Sequence, residues 1–402
     1  MELKKYKLGD CFRMAENGLV IKQTKAAKGM PITRIETLSN DCFNRDRLGY
    51  GDIFDEEKYS HYILDDKDLL MSHINSRTFL GRTVLYRKRN GEKIIHGMNV
   101  LRIKTNQDIL DPIFASYLFR TSLFKRHIDN IRKDAINQSS FALSDLKNIE
   151  LYIPTIKEQN KIAYTLQLLD SKISLNRQIN DNLEAMAKQL YDYWFVQFDF
   201  PNDEGKPYKS SGGAMVWNDK LKREIPQGWS TLPISAILDK YPTTKRYETK
   251  EYLSQGKYPI IDQGDTYIVG YTNEDDNLLT RHPAVLFGDH STKVKFLDFD
   301  FARGADGTQI LYSSNDAVSQ YYLYLAVSTL QIPNPGYSRH FKYLKELPIV
   351  IPSLSIAIKF ANIAKPLFKK WTNNIFNNIA LTKQRDELLP LLMNGQASVN
   401  SD

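Results

Sequence analysis

The sequence predicts an α+β protein built twice. Two mixed α/β regions are separated by a pair of long antiparallel coiled-coil helices and related by a pseudo-twofold internal duplication. Three observations predict this. Sliding the 402-residue chain by 198 positions lays residues 144–195 on 342–393 without a gap, with 12 identities among 52 positions. Each copy then carries apolar residues at heptad spacing, the pattern of a coiled-coil seam. Ahead of each seam lies a region of short β-rich runs broken by turn residues.

Taken in order, residues 1–155 form the first mixed region. It ends on Ile149–Ile153, apolar at every second position and closed by Pro154, which reads as a terminal strand. Residues 156–200 form the first long helix, with Ile162, Leu169, Leu183 and Leu190 in one core position and Leu166, Ile173, Ala187 and Trp194 in the other. Residues 201–227 read as a linker. Residues 228–352 form the second mixed region, closed by Leu347–Ile351 and Pro352, with Pro259-Ile260 echoing Pro31-Ile32 and Leu232 echoing Leu8. Residues 353–402 form the second long helix and a tail, with Phe360, Leu367, Leu381 and Leu388 against Ala364, Trp371, Arg385 and Leu392. Within it, Pro366 is expected to kink the helix and Pro390 to end it.

The two core positions left over are polar: Asn176 and Asn180 in the first helix, Asn374 and Asn378 in the second. An antiparallel pairing places Asn176 near Asn378 and Asn180 near Asn374. Such a layer fixes helix register, because a one-heptad slip sets amides against leucine.

Composition excludes several classes. With 23 Tyr, 19 Phe and 4 Trp the chain is too aromatic for a disordered protein. No apolar run approaches the ~18–20 residues of a membrane span, and the first residues lack a signal-peptide core, so a cytoplasmic protein is expected. Cys11 and Cys42 make neither a disulfide framework nor a zinc site. The net charge of +7 is modest, but residues 82–133 hold 12 basic residues and only four acids, a stretch that can track phosphates.

Catalytic motifs are missing. There is no Walker loop, nucleophile elbow or HExxH helix, and seven scattered histidines show no metal-ligand spacing. Asn334-Pro335-Gly336-Tyr337 approaches an adenine-methyltransferase signature, but reads as a Pro-Gly turn. Glu248-Thr249-Lys250, half of a nuclease-like site without its partner, reads as surface charge. The chain looks like a binder rather than an enzyme.

Three stretches carry a resemblance: Trp194–Phe200 (WFVQFDF), Gly205–Trp217 (GKPYKSSGGAMVW) and Arg223–Trp229 (REIPQGW). Together with Asn137-Gln138-Ser139-Ser140-Phe141, Leu146, Ile149, Ile153-Pro154 and Glu158-Gln159, they are similar to type I restriction–modification specificity subunits. The resemblance implies two target-recognition domains, each reading half of an asymmetric bipartite site in double-stranded DNA. It implies a helical rod that spaces them and docks two methyltransferase subunits, with restriction/translocase subunits joining the complex. This chain then binds no cofactor of its own, S-adenosylmethionine, ATP and Mg²⁺ belonging to partner subunits.

Arginine, asparagine and glutamine suit bidentate contacts to base edges, and basic residues suit phosphates. The candidates for DNA contact are Arg82, Arg87, Lys88 and Arg89, with Asn137, Gln138 and Ser139, in the first half. In the second they are Arg339 and His340, with Lys293, Lys295 and Arg303 as basic support. Other readings of the residues are the specificity module of a related combined restriction/methylation system, a stand-alone methyltransferase, and a scaffold that does not bind DNA.

Overall fold

A computed structural model describes residues 2–24, 28–39, 42–136, 138–241, 244–305, 307–332 and 339–398. The chain divides into two compact units, Met1–Ile173 with Ile379–Asp402, and Ser174–Asn378. Each is a mixture of short strands and helices with part of both long helices packed into its core.

In the first unit the N-terminal strand Leu3–Lys7 runs antiparallel to Glu150–Pro154. Leu151 and Ile153 face the core while Glu150 and Tyr152 face solvent, which is the period-two pattern of the sequence made physical. A four-stranded antiparallel sheet has the order Phe12–Asn17, Val100–Thr105, Leu69–Ser72, Thr83–Leu85. The helix Pro112–Leu118 starts on a proline that has no N–H to leave unpaired, and Asp111 accepts from the Ile113 and Phe114 amides at 2.9 and 2.8 Å. The next helix, Ser122–Ile131, is capped by Thr121. Phe114, Phe124, Ile128, Leu146 and Ile153 form a core with Ile162 and Leu166 of the first long helix and Leu392 and Met393 of the second. Gln159 is fully buried at the start of the first long helix. It donates to the Pro154 and Ile109 carbonyls at 2.9 and 2.7 Å and accepts from Asp111 N at 2.8 Å, stapling the helix to the mixed region.

The second unit has its own terminal pair, Ser230–Pro233 with Pro348–Ile351. A three-stranded sheet runs Val294–Leu297, Ala284–Gly288, Thr308–Leu311, and a second sheet gathers Arg246–Tyr247, Phe301–Gly304, Tyr258–Ile261 and Gly270–Thr272. Its core is strongly aromatic, which accounts for the composition of residues 194–229. Phe200 lies between Tyr208 and Trp229, stacked on both at 4.7 and 4.8 Å, and Phe195 meets Tyr322 and Phe360 edge-on at 4.6 and 4.8 Å. Residues 201–227 are folded in this unit, with Met215–Asn218 and Arg223–Pro226 forming a hairpin.

The long helices are Ile156–Tyr191, which continues into a π-helical turn Asp192–Val196, and Leu354–Met393. The second corrects one expectation, because helix continues through Pro366 and on past Pro390 to Met393. Both prolines lie on the exposed face, as do Asn362 and Asp386, whose carbonyls lose their helical donors where solvent can reach them, so the helix tolerates both prolines. The helix stops instead at Gly395, in the left-handed region at φ 71°. Gln396 N donates to Leu391 O and Gly395 N to Leu392 O, the paired bonds of a Schellman cap.

In the second unit Asn176 Nδ2 donates to Asn378 Oδ1 at 2.9 Å, and Asn374 Nδ2 donates to Asn180 Oδ1 at 2.9 Å. Trp194 meets Phe360 at 5.8 Å, so positions rise along one helix as they fall along the other. In the first unit Asp170 accepts from Arg385 Nη1 at 2.8 Å and from the Tyr117 hydroxyl at 2.7 Å. The core-position arginine thus enters the seam with a carboxylate partner.

Candidate nucleic-acid interface

In the first unit the strands Leu69–Ser72 and Thr83–Leu85 are joined by residues 73–82, and this loop is held from several sides. Gly81 N donates to Ser72 O at 2.8 Å, Ser72 Oγ to Phe79 O at 2.5 Å, and Lys125 Nζ to the Arg77 and Leu80 carbonyls at 2.9 and 3.0 Å. Gly81 has φ +77°, and a Cβ there would lie 2.9 Å from Ile128, so only glycine makes this turn without strain. Arg77 and Phe79 are consequently displayed at the surface on fixed backbone. The segment before the terminal strand joins the same face. Ser139–Ser140 pairs with Ile74–Asn75, and Phe141 N donates to His73 O at 3.3 Å.

This loop borders a cleft of about 800 Å³ lined by Arg34, Arg47, Asn44, Asn75, Phe79 and Arg82, among others. Arg82 is half-buried, its guanidinium 4.2 Å from the centre of the Phe79 ring, with Nη1 3.3 Å from Leu38 O. Arg87, Lys88 and Arg89 form an exposed basic turn whose backbone is tied down. Arg45 Nη2 donates to Arg87 O at 2.7 Å, Lys88 N to Asp66 Oδ1 at 3.0 Å, and Arg89 N to Glu92 Oε2 at 3.2 Å. Glu92 also accepts both arms of Arg45, at 2.6 and 2.8 Å, and the Tyr86 hydroxyl at 2.8 Å. The Arg45 guanidinium is the main reason its carboxyl is held down to about 2.

In the second unit the corresponding turn, 289–293, is organised by Gln263. Its Oε1 accepts from His290 N and Ser291 N at 3.0 and 3.3 Å, and its carbonyl accepts Ser291 Oγ at 2.7 Å. His340 N donates to Asp289 O at 2.8 Å, and Phe341 N to Asp289 Oδ1 at 2.8 Å, bringing the segment before the helix Phe341–Glu346 onto this turn. Arg339 and Lys293 are exposed there, Lys293 paired with Asp265.

The sequence candidates therefore separate. Arg87, Lys88, Arg89, Gln138, Lys293 and Arg339 are exposed, and Arg82 lines the cleft. Four others are buried and committed within the fold. Ser139 Oγ donates to Asp134 at 2.6 Å, Lys295 Nζ to Thr266 O at 2.7 Å, and Arg303 Nη2 to Thr308 O at 2.6 Å, while His340 Nδ1 lies 3.0 Å from Asp289 O. Burial lowers the Lys295 pKa, with Asp262 3.8 Å away opposing the shift. Asn137 and the Asn334–Tyr337 turn lie outside the described residues. Sequence reasoning missed Arg34, Arg47 and Phe79, which meet only because separate loops line one cleft, and the exposed Arg77 on the Phe79 loop. The signal available was the Thr33-Arg34 step directly after the strand Met30–Ile32.

Among the described residues no group of histidine, cysteine and acidic side chains could hold a metal ion, and no helix is long and apolar enough to cross a membrane. Residues 1–185 match the family model of the type I restriction modification DNA specificity domain. The chain is 36% identical over 231 residues to the putative type I restriction enzyme MjaX specificity subunit of Methanocaldococcus jannaschii. That match covers 56% of the chain and spans half the length of the relative. It is 27% identical over 310 residues to the MjaIX specificity subunit of the same organism, covering 70% of this chain and 68% of that one. The fold is similar to the crystal structure of a type I restriction–modification S subunit from M. genitalium, with a TM-score of 0.60 and 16% identity over 100% of this chain and 97% of that one. The sequence matches reach into both halves, so the chain is similar over more than half of its length to type I restriction–modification specificity subunits, and its residues 1–185 match their DNA specificity domain.

Proposed function

We propose that this chain is the non-catalytic DNA-reading subunit of a type I restriction–modification complex, each unit reading one half of a bipartite duplex site. One observation carries the reading. In both units the segment before a short helix, Leu143–Lys147 or Phe341–Glu346, is bonded to the residue that follows the central strand, Phe141 N to His73 O and His340 N to Asp289 O. Each unit thereby gathers a hairpin turn and a second loop into one polar, basic face, suited to positioning on phosphates and reading base edges.

Duplication supports two readers. The strand order Thr83–Leu85, Leu69–Ser72, Val100–Thr105 recurs as Val294–Leu297, Ala284–Gly288, Thr308–Leu311. Pro31 and Ile32 face Tyr50 and Gly49 as Pro259 and Ile260 face Tyr271 and Gly270. Leu8 N donates to Ile149 O and Ile234 N to Leu347 O, so Leu8 answers to Ile234, two residues beyond the Leu232 suggested by sequence.

In this reading Arg87, Lys88, Arg89, Lys293 and Arg339 contact phosphates, and Arg82 and Gln138 lie toward the bases. The long helices set the spacer between half-sites and dock two methyltransferase subunits, to which restriction/translocase subunits add. S-adenosylmethionine, ATP and Mg²⁺ are carried by those partners, in the cytoplasm. The test is to co-express the chain with its methyltransferase and map methylated adenines by single-molecule sequencing. A two-part motif with a fixed gap is expected. A single uninterrupted motif, or none, overturns the two-reader assignment.

A further inference from the structure

We propose that Arg82, held on the face of Phe79, is the residue that reads a guanine in the half-site recognised by the first unit. Other arginines withdrawn from solvent in this unit are matched to carboxylates: Arg45 to Glu92 at 2.6 Å, Arg102 to Asp68 at 2.7 Å, and Arg132 to Asp129 at 2.6 Å. Arg82 is half-buried as well, yet among the described residues no carboxylate pairs with it. Its contacts are the Phe79 ring and one 3.3 Å bond to a carbonyl, leaving most of its five N–H donors unused.

The setting favours a base over a phosphate. Stacking on an aromatic ring fixes the plane of the guanidinium, and a fixed plane is what two parallel N–H bonds to guanine O6 and N7 require. A phosphate accepts from many directions and is served equally well by the exposed Arg87, Lys88 and Arg89. Phe79 in turn sits on the loop that Ser72, Lys125 and Gly81 hold rigid, so the stacked pair is positioned before DNA arrives. Beside it in the cleft is Asn75, whose side-chain oxygen accepts from Ser76 N at 2.8 Å and whose NH2 can donate to a further base edge.

The inference rests on the DNA-reading assignment above, and the experiment separates the two. Randomised duplexes are selected on the full chain in complex with its methyltransferase subunits, as wild type, Arg82→Lys and Phe79→Leu. The expected wild-type motif contains a guanine in one half. Preference for it falls about ten- to a hundred-fold in Arg82→Lys and less in Phe79→Leu, while the other half of the motif persists and reports an intact fold. An unchanged motif in Arg82→Lys overturns the inference, and so does affinity that falls equally for all sequences, the mark of a phosphate contact. If Arg82→Lys loses both halves, Phe79→Leu decides, and no relaxation at a guanine there is equally fatal. A wild-type chain that selects no motif overturns the DNA-reading assignment and this inference with it.

Discussion

Asn374 Nδ2 donates to Asn180 Oδ1 at 2.9 Å, and Asn374 is fully buried. Asn180 passes the chain of bonds on, donating to Trp371 O at 3.1 Å, but Asn374 Oδ1 has no partner among the described residues. A buried amide oxygen left unpaired costs about 1–3 kcal/mol, so the layer is not there for stability.

The first prediction follows from that cost. Replacing Asn176, Asn180, Asn374 and Asn378 together by leucine should raise the thermal unfolding midpoint and permit pairing slipped by a heptad. Cysteine cross-linking across the helix pair reads the slip as new cross-links. Asn180→Leu alone should act oppositely, losing about 1–3 kcal/mol, because it strands the Asn374 amide. A lower midpoint in the fourfold variant with an unchanged cross-linking pattern would remove the register role.

A second prediction concerns acid. His96 is fully buried, its Nε2 2.6 Å from Val100 O and its Nδ1 without a partner among the described residues. Burial is the main reason its pKa is lowered to about 4, with Arg102, His73 and His61 adding like charge. Its folded pKa lies below its unfolded one, so the unfolded chain takes the proton first. The stability this provides is complete above about pH 6.5 and is lost progressively as pH falls toward 4, up to about 3 kcal/mol. Urea unfolding at pH 7 and pH 5 should show His96→Gln with a flatter pH dependence than wild type. Equal slopes would mean that His96 is not the titrating group.

How much of this was legible beforehand depends on whether a signal was local. The terminal strands were, because Leu151 and Ile153 alternate with polar neighbours and a proline closes the run. The end of the second helix was misplaced because Pro390 is a conspicuous breaker, while the glycine that stops it lies five residues later. Lys295 and Arg303 read as surface charges because a sequence does not show that Thr266 and Thr308 supply carbonyls to them. The Phe79–Arg82 cleft needed loops near residues 34, 47 and 79 in one place, and no periodicity encodes that meeting.

The third prediction separates a contact from its support. Arg87→Ala should weaken binding to all duplexes alike and reduce the salt slope by about one. Glu92→Gln removes no DNA contact, yet it weakens the charge-assisted bonds from Arg45, on which the position of the Arg87–Arg89 turn depends. It should lower affinity several-fold with the salt slope unchanged, measured by fluorescence anisotropy across a salt series. Identical salt slopes for wild type and Arg87→Ala would show that Arg87 meets no phosphate.

The last prediction tests the helices as a spacer. Inserting seven residues into each long helix adds one full heptad, so the apolar seam and the asparagine layer stay in phase. At 1.5 Å per residue this lengthens each helix by ~10 Å, about three base pairs at ~3.4 Å per step. Both half-site sequences should remain the same, because neither reading face is altered, while the gap between them grows by about three base pairs. Mapping methylated adenines after modification by the variant complex reads both at once. An unchanged gap would detach spacer length from the helices, and a changed half-site would show that the reading faces depend on helix length. If only the gap changes, the helices set the distance while the loops choose the bases.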